Sequence, residues 1–385
     1  MSEPRFPEYF HDLDAARGVL MVLGIFLHAA SVYLVGVTWL VNDPVDHIAF
    51  NYINATIHIF RMPAFFVVAG FFALWSVRRY GAWVFLQRRL VRLGVPLAAT
   101  VAVVNLFEAY ILDARQTSGL DILAFLERAF PQWLVAGEWV GHLWFLVVLV
   151  VYVVLLAMGA ANARLVRWLS RGAACLGEKL PSWIADTSVW LFVLPLTSFV
   201  GLAAAKVFPD LHIHYGTLSG YTFLEYLPFF VFGLLLAASP RLFEGQLKLR
   251  WWVLLIIAAA YAAPFVMPRE TVGLAAAIGQ EYVRQLLVWS ASLFVLALFH
   301  RFCLRERPFF SRLAEAALTI YLFHHLVVVV LGSLMIGTGI ALWMKYTVIV
   351  IATFAITWVI HLVLVAPLPL VRFLFNGQRP RATDG

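Results

Sequence analysis

The sequence predicts an all-α, polytopic membrane protein of about ten transmembrane helices with both termini cytoplasmic, and three observations predict it. Of 385 residues 63% are hydrophobic and only 13% charged, where soluble domains carry about 25% charged residues. Mean hydropathy is +0.88. The apolar residues fall in runs of about 20, the length that crosses roughly 30 Å of hydrocarbon. Basic residues, finally, concentrate in every second connecting segment, while the intervening segments carry acids such as Asp43, Asp113, Glu138, Asp210, Glu270 and Glu281. This composition excludes a disordered chain, a small disulfide scaffold and an ordinary cytosolic enzyme.

The net charge of +7 invites a nucleic-acid reading, which its distribution opposes. Arg5 and five clusters hold 20 of the 28 positive charges. The clusters are Arg78, Arg79, Arg88, Arg89, Arg92; Arg164, Arg167, Arg171, Lys179; Arg241, Lys248, Arg250; Arg301, Arg305, Arg307, Arg312; and Arg372, Arg379, Arg381. The positive-inside rule makes these segments cytoplasmic, so no nucleic acid is expected as a partner. Cys175 and Cys303 lie in or beside them, where thiols stay reduced and no disulfide is expected. The polar N-terminus is followed by an apolar run too long for a signal-peptide core, so that run is expected to remain as the first span.

The expected spans are 15–37, 54–76, 90–112, 141–163, 187–207, 222–240, 251–267, 284–300, 313–335 and 343–368. Pro264, Pro268 and Gly273 weaken the pattern of the seventh and eighth. Residues 120–130 form an amphipathic stretch expected at the membrane surface. No internal repeat is visible, which disfavours an inverted-repeat transporter.

An ionisable side chain inside a bilayer is costly unless it serves a purpose or finds a partner. The first span opens on Asp14-Ala-Ala-Arg17, i and i+3 on one helix face, and carries His28 about 16 Å further along. A packing hydrogen bond for His28 and a snorkelling Arg17 compete evenly with a functional reading. Arg61, followed by Pro63 and Gly70 in the second span, is harder to explain as packing. His142 and Glu138 are four apart, with Trp139 and Trp144 near an aromatic belt, and either line a polar entrance or mark the interface. His324 and His325 follow Tyr321 at a depth near that of His28, which points to one internal site. Glu225 and His361 are weaker candidates, expected to be satisfied by helix neighbours. No phosphate-binding loop, dinucleotide fingerprint, C-x-x-C or H-E-x-x-H occurs. No metal site and no permanently bound cofactor is expected; His212-Ile-His214 is read as loop.

The Asp14-x-x-Arg17 pair with His28, the run Arg61-Met-Pro-Ala-Phe-Phe-Val-Val-Ala-Gly-Phe71, Arg88-Arg-Leu-Val-Arg92-Leu-Gly-Val-Pro96, His142-Leu-Trp-Phe-Leu146 and Tyr321-Leu-Phe-His-His325 together resemble the membrane acyltransferases of the acyltransferase-3 family. Within it the likeness leans to the succinyltransferases of osmoregulated periplasmic glucans, on Tyr9-Phe-His-Asp12-Leu-Asp14. The resemblance implies one integral membrane domain over residues 1–385, located in the cell inner membrane. It implies transfer of an acyl group, succinyl foremost, from cytoplasmic acyl-CoA (succinyl-CoA) to hydroxyls of a periplasmic glucan. Acyl-CoA, the glucan and membrane lipid are then the partners; oligomeric state is left open. His28 is expected to act as general base or covalent acyl carrier. Asp14 and Arg17 would tune the site, and Arg61 would bind the succinyl carboxylate or stabilise the oxyanion. Arg88, Arg89 and Arg92 would meet CoA phosphates, and His142, Trp144, His324 and His325 would line the substrate path. An O-acetyltransferase of another surface glycan and a proton-coupled transporter remain the alternatives.

Overall fold

The computed structural model describes residues 9–117, 119, 121–162, 188–266 and 273–378. Arg5, Arg164, Arg167, Arg171, Cys175, Lys179, Pro268, Glu270, Arg379 and Arg381 lie outside the described residues. The described residues are mostly helical: α1 is His11–Ser31, α2 Ile48–Tyr80, α3 Ala82–Thr117, α4 Glu138–Ala161 and α5 Val189–Val207. There follow α6 Gly220–Ala238, α7 Val253–Val266, α8 Leu274–Phe302, α9 Pro308–Met335, α10 Leu342–Val365 and α11 Pro369–Asn376. Two two-residue strands pair antiparallel, His214 with Ser219 and Tyr215 with Leu218.

Among the described residues nine helices are long and apolar enough to cross a membrane, where the sequence leads one to expect ten. The difference is the seventh expected span. It is α7, described over 14 residues with Pro264 among them, a described length of about 21 Å.

Other boundaries move for identifiable reasons. Gly81 adopts φ +78° and turns α2 directly into α3. The basic segment Arg88–Arg92 is therefore helical rather than a loop, which fixes which arginines share a face. α1 stops at Ser31 rather than running to 37, placing His28 in its last turn. Residues 32–47 then fold back irregularly, held by the buried Lys345–Asp43 ion pair at 2.8 Å and by Asn51, which exchanges two hydrogen bonds with the backbone of Val35. Gly141 (φ +42°) breaks the helical path between Glu138 and His142. These two residues consequently do not share a helix face: His142 is buried and Glu138 exposed.

The bundle centre is apolar and aromatic, as lipid-embedded packing by van der Waals contact requires. α2 crosses α6 at two glycines. A Cβ on Gly70 would stand 2.1 Å from the Phe230 carbonyl oxygen, and one on Gly233 2.0 Å from that of Val67. α1 lies against α2 and α9, with Gly18 seated on Leu313 and Ala314 of α9. This three-helix contact positions the site. Inside α3 a π-turn spans Val101–Asn105. The inserted residue rotates the helix beyond it by about 100°.

Candidate active site

One face of α1 organises the polar interior. Asp14, Arg17, Met21, Gly24 and His28 recur at intervals of three and four residues and so stack along one side of the helix. At the N-terminal end Arg17 pairs with Asp14 at 2.8 Å. Tyr9 donates a hydrogen bond to the same carboxylate. Burial, and then that bond to Asp14, push the Tyr9 phenol up to about 12.

Around Arg17 an open groove carries Arg89, Arg92, Glu315 and Asn376 at its polar rim. Its walls are apolar: Met21, Phe65, Val68, Phe145, Leu146 and Leu149. Arg89 also donates to the Phe72 carbonyl and to Ser76 Oγ, both at 3.3 Å, tying α3 to α2. A cationic rim above an apolar trough fits an amphipathic anion with a long arm.

One turn beyond Met21 the groove gives way to a chamber of imidazoles. Gly24 leaves the space: a Cβ there would lie 2.4 Å from Arg61 Nη2 and 3.1 Å from His324 Nε2. Arg61 is 6% exposed and donates from Nε to the Leu20 carbonyl at 2.9 Å. Among the described residues no carboxylate pairs with it, and a guanidinium has five N–H donors. The His28 ring centroid is 5.2 Å from that of His324 and 4.8 Å from that of His325. His142 stacks on His325 at 4.6 Å and meets His324 at 5.6 Å.

Hydrogen bonds set the tautomers of two rings. His324 Nδ1 donates to backbone carbonyls, 2.7 Å to Tyr321 and 3.1 Å to Ile320. Its Nε2 is therefore an acceptor, buried and without a hydrogen-bond partner among the described residues. His325 Nδ1 donates to the Glu108 carboxylate at 2.8 and 3.0 Å. Tyr321 Oη donates to the His142 carbonyl at 2.5 Å, fixing the loop before α4 against α9. Among the described residues neither ring nitrogen of His142 has a hydrogen-bond partner of ordinary geometry. His142, His324 and His325 are buried, whereas His28 stays partly exposed, its Nδ1 enclosed and without a hydrogen-bond partner among the described residues. On that open side Trp39, from residues 32–47, stacks on His28 at 5.9 Å and meets His325 at 5.5 Å.

The structure thus gathers His28, Arg61, His142, His324 and His325 in the chamber, and Arg17, Arg89 and Arg92 in the groove. Arg88 stands apart: it is exposed, with its guanidinium 4.2 Å from the Tyr80 ring centroid. Trp144 is half-buried and packs on Tyr226 at 5.2 Å. His361 is satisfied at 3.0 Å by Thr319 of α9. Cys303 is buried, which pushes its thiol up. Among the described residues no three His, Cys, Asp or Glu side chains are placed to hold a metal ion. Two chamber residues go unpredicted by sequence reasoning, Glu108 and Trp39. The signal for Glu108 was an acid inside an expected span; for Trp39 it was an aromatic in a loop, which is weak.

Membrane-spanning helices that enclose four imidazoles beside a buried guanidinium, one helical turn from an arginine-rimmed groove, have the composition of an integral membrane enzyme. Residues 10–362 match the acyltransferase-3 family, described as an acyltransferase domain. The chain belongs to that family and is a multi-pass membrane acyltransferase. It is 28% identical to glucans biosynthesis protein C of Salmonella typhimurium, with 100% of both chains covered. Proteins of the same name from Salmonella paratyphi B and Salmonella dublin are also 28% identical, over 98% of this chain and 97% of theirs. No solved structure matches the chain.

Proposed function

We propose that the protein transfers a succinyl group from cytoplasmic succinyl-CoA to a hydroxyl of a periplasmic glucan, across the inner membrane. The observation that carries this reading is the single stripe on α1 that joins the arginine groove to His28. The donor's phosphates meet Arg17, Arg89 and Arg92, and its arm lies along Met21, Phe65 and Phe145 with the thioester directed at the chamber. The glucan names of the relatives and the partial exposure of His28 beside Trp39, at the far end of α1, support an acceptor arriving from the opposite side. Both termini are then cytoplasmic, with α7 as a short tenth crossing.

In this reaction His28 takes the proton of the acceptor hydroxyl as its oxygen attacks the thioester carbonyl. The new C–O bond forms, the C–S bond breaks with its electron pair going to sulfur, and the imidazolium returns the proton to the thiolate. The free N–H groups of Arg61 face the developing oxyanion or the succinyl carboxylate. No metal and no resident cofactor enters; acyl-CoA is a substrate.

The test uses purified protein in proteoliposomes, supplied with succinyl-CoA or acetyl-CoA and a β-glucan, with the product analysed by mass. Succinylated glucan from the wild type, and a loss of about 10²- to 10⁴-fold in His28→Ala, is the expected result. Acetylated glucan alone would overturn the donor assignment. Full transfer by His28→Ala would overturn the mechanism, and substrate movement without acyl-CoA consumption would return the protein to the transporter class.

A further inference from the structure

The chamber has a charge problem that its imidazoles and guanidinium do not solve. Arg61 is permanently positive and shares the space over Gly24 with His324 Nε2. An imidazole that takes a proton here adds a second positive charge in a buried site, which is costly unless an anion compensates it. Among the described residues, the carboxylate bonded to this cluster is Glu108.

Glu108 is 8% exposed. An ionised carboxylate offers about four acceptor sites, yet among the described residues the His325 Nδ1–H is the one donor directed at them. A buried carboxylate with a single neutral donor is poorly satisfied. It becomes well satisfied when the ring beside it, or a ring in contact with that one, turns cationic. His325 is such a ring, 4.8 Å from His28 and 4.6 Å from His142 by centroid. Glu108 reaches this position from α3, just after the π-turn at Val101–Asn105, and Asn105 ties the same helix to the Trp139 carbonyl at 2.8 Å.

We infer that Glu108 is a positioning residue for acyl transfer, acting through His325. It fixes the Nδ1–H tautomer of His325, so that Nε2 is an acceptor, and its charge balances the proton that the imidazole cluster holds between attack and thiolate release. This rests on the reading of His28 given above. The proton passes from acceptor oxygen to imidazole to sulfur, and nothing is oxidised or reduced.

Glu108→Gln preserves shape and a carbonyl acceptor for Nδ1–H while removing the charge. We expect turnover to fall about 100-fold with KM for acyl-CoA and glucan unchanged, and with wild-type yield and thermal midpoint. Glu108→Asp, which keeps the charge, should recover part of the loss. The double variant with His325→Gln should be no slower than the slower single variant, as for residues acting as a unit. Wild-type turnover in Glu108→Gln, or a loss matched by an equal fall in folded protein, would overturn the assignment. ¹⁵N-histidine spectra give a readout that needs no acyl transfer: the Nδ1–H tautomer of His325 should be present in the wild type and lost in Glu108→Ala. Its retention there would overturn the role of Glu108 even if the donor reading stood, whereas an inactive wild type with that tautomer present and then lost would sink only the donor reading.

Discussion

The chamber and the groove lie one helical turn apart on the same face of α1, and they handle charge in opposite ways. In the groove, positive charge sits at a rim: Arg89 is half-buried, Arg92 exposed, and Arg17 already paired with Asp14. Such groups keep contact with water and give up little by binding or releasing an anion. In the chamber Arg61 is enclosed and donates to a backbone carbonyl, and among the described residues three of the four imidazoles gathered there carry ring nitrogens with no hydrogen-bond partner. Unmade hydrogen bonds of that kind are expensive in a finished structure, and they are what a site keeps open for a reacting group. On the proposed function the groove holds the donor and the chamber carries out the transfer, so damage to the first should appear in KM and damage to the second in turnover.

Gly24 is where this contrast breaks most sharply. Gly24→Ala introduces one methyl group on the groove-to-chamber stripe, at a point 2.4 Å from Arg61 Nη2 and 3.1 Å from His324 Nε2. The guanidinium must leave its place, and α9 leaves His324 little room to follow. Turnover should fall by about 10²- to 10³-fold, the range for losing an oriented charge donor, while KM for acyl-CoA changes less than about threefold because the groove lining is untouched. Initial rates per folded molecule in proteoliposomes measure both. A rise in KM with unchanged turnover would show that Gly24 belongs to binding, and the division between the two regions would fail.

Much of this was legible before the fold was known, and what was not has physical causes. Hydropathy runs of spanning length located the helices, and the spacing 14, 17, 28 put Asp14, Arg17 and His28 on one face because helical periodicity is fixed. Arg61 and the His324–His325 pair stood out as ionisable groups in apolar runs. Glu108 did not stand out, since it sits near the end of its span, close to Asp113 and Arg115, and reads as interfacial charge. Its direction depends on a π-turn that no residue in Val-Ala-Val-Val-Asn announces. Trp39 was out of reach for a related reason: α1 stops six residues earlier than its apolar run, and only then does the following loop fold over His28. The length of α7 was hidden because Trp251 and Trp252 extend its apolar run without being helical.

The groove offers a smaller effect of the opposite kind. Arg89→Ala and Arg92→Ala each remove one cationic group from the rim, on the same face of α3 three residues apart. KM for acyl-CoA should rise roughly 10-fold in each, the scale of one charge-assisted phosphate contact, with turnover within about twofold of wild type. Raising ionic strength should weaken the wild type more than either variant, because screening has less charge left to act on. The Arg89 variant also loses the bonds to Phe72 and Ser76, so its thermal midpoint should drop more than that of the Arg92 variant. Equal KM values for wild type and both variants would remove the groove from donor binding.

Arg88 completes the comparison with the smallest effect. It is adjacent to Arg89 in sequence, and on charge pattern alone the two are interchangeable. The start of α3 at Ala82 turns them to different sides of the helix, and Arg88 rests over the Tyr80 ring, exposed and outside the groove. Arg88→Ala should therefore leave KM and turnover within about twofold of wild type. Stability should fall by no more than about 1 kcal/mol, the value of an exposed cation–π contact. Thermal unfolding and a Michaelis curve for acyl-CoA check the two halves of that statement. A 10-fold KM increase matching Arg89→Ala would mean that the donor phosphates reach around the helix, and that net charge at this end of α3, rather than the shape of the groove, recruits the donor.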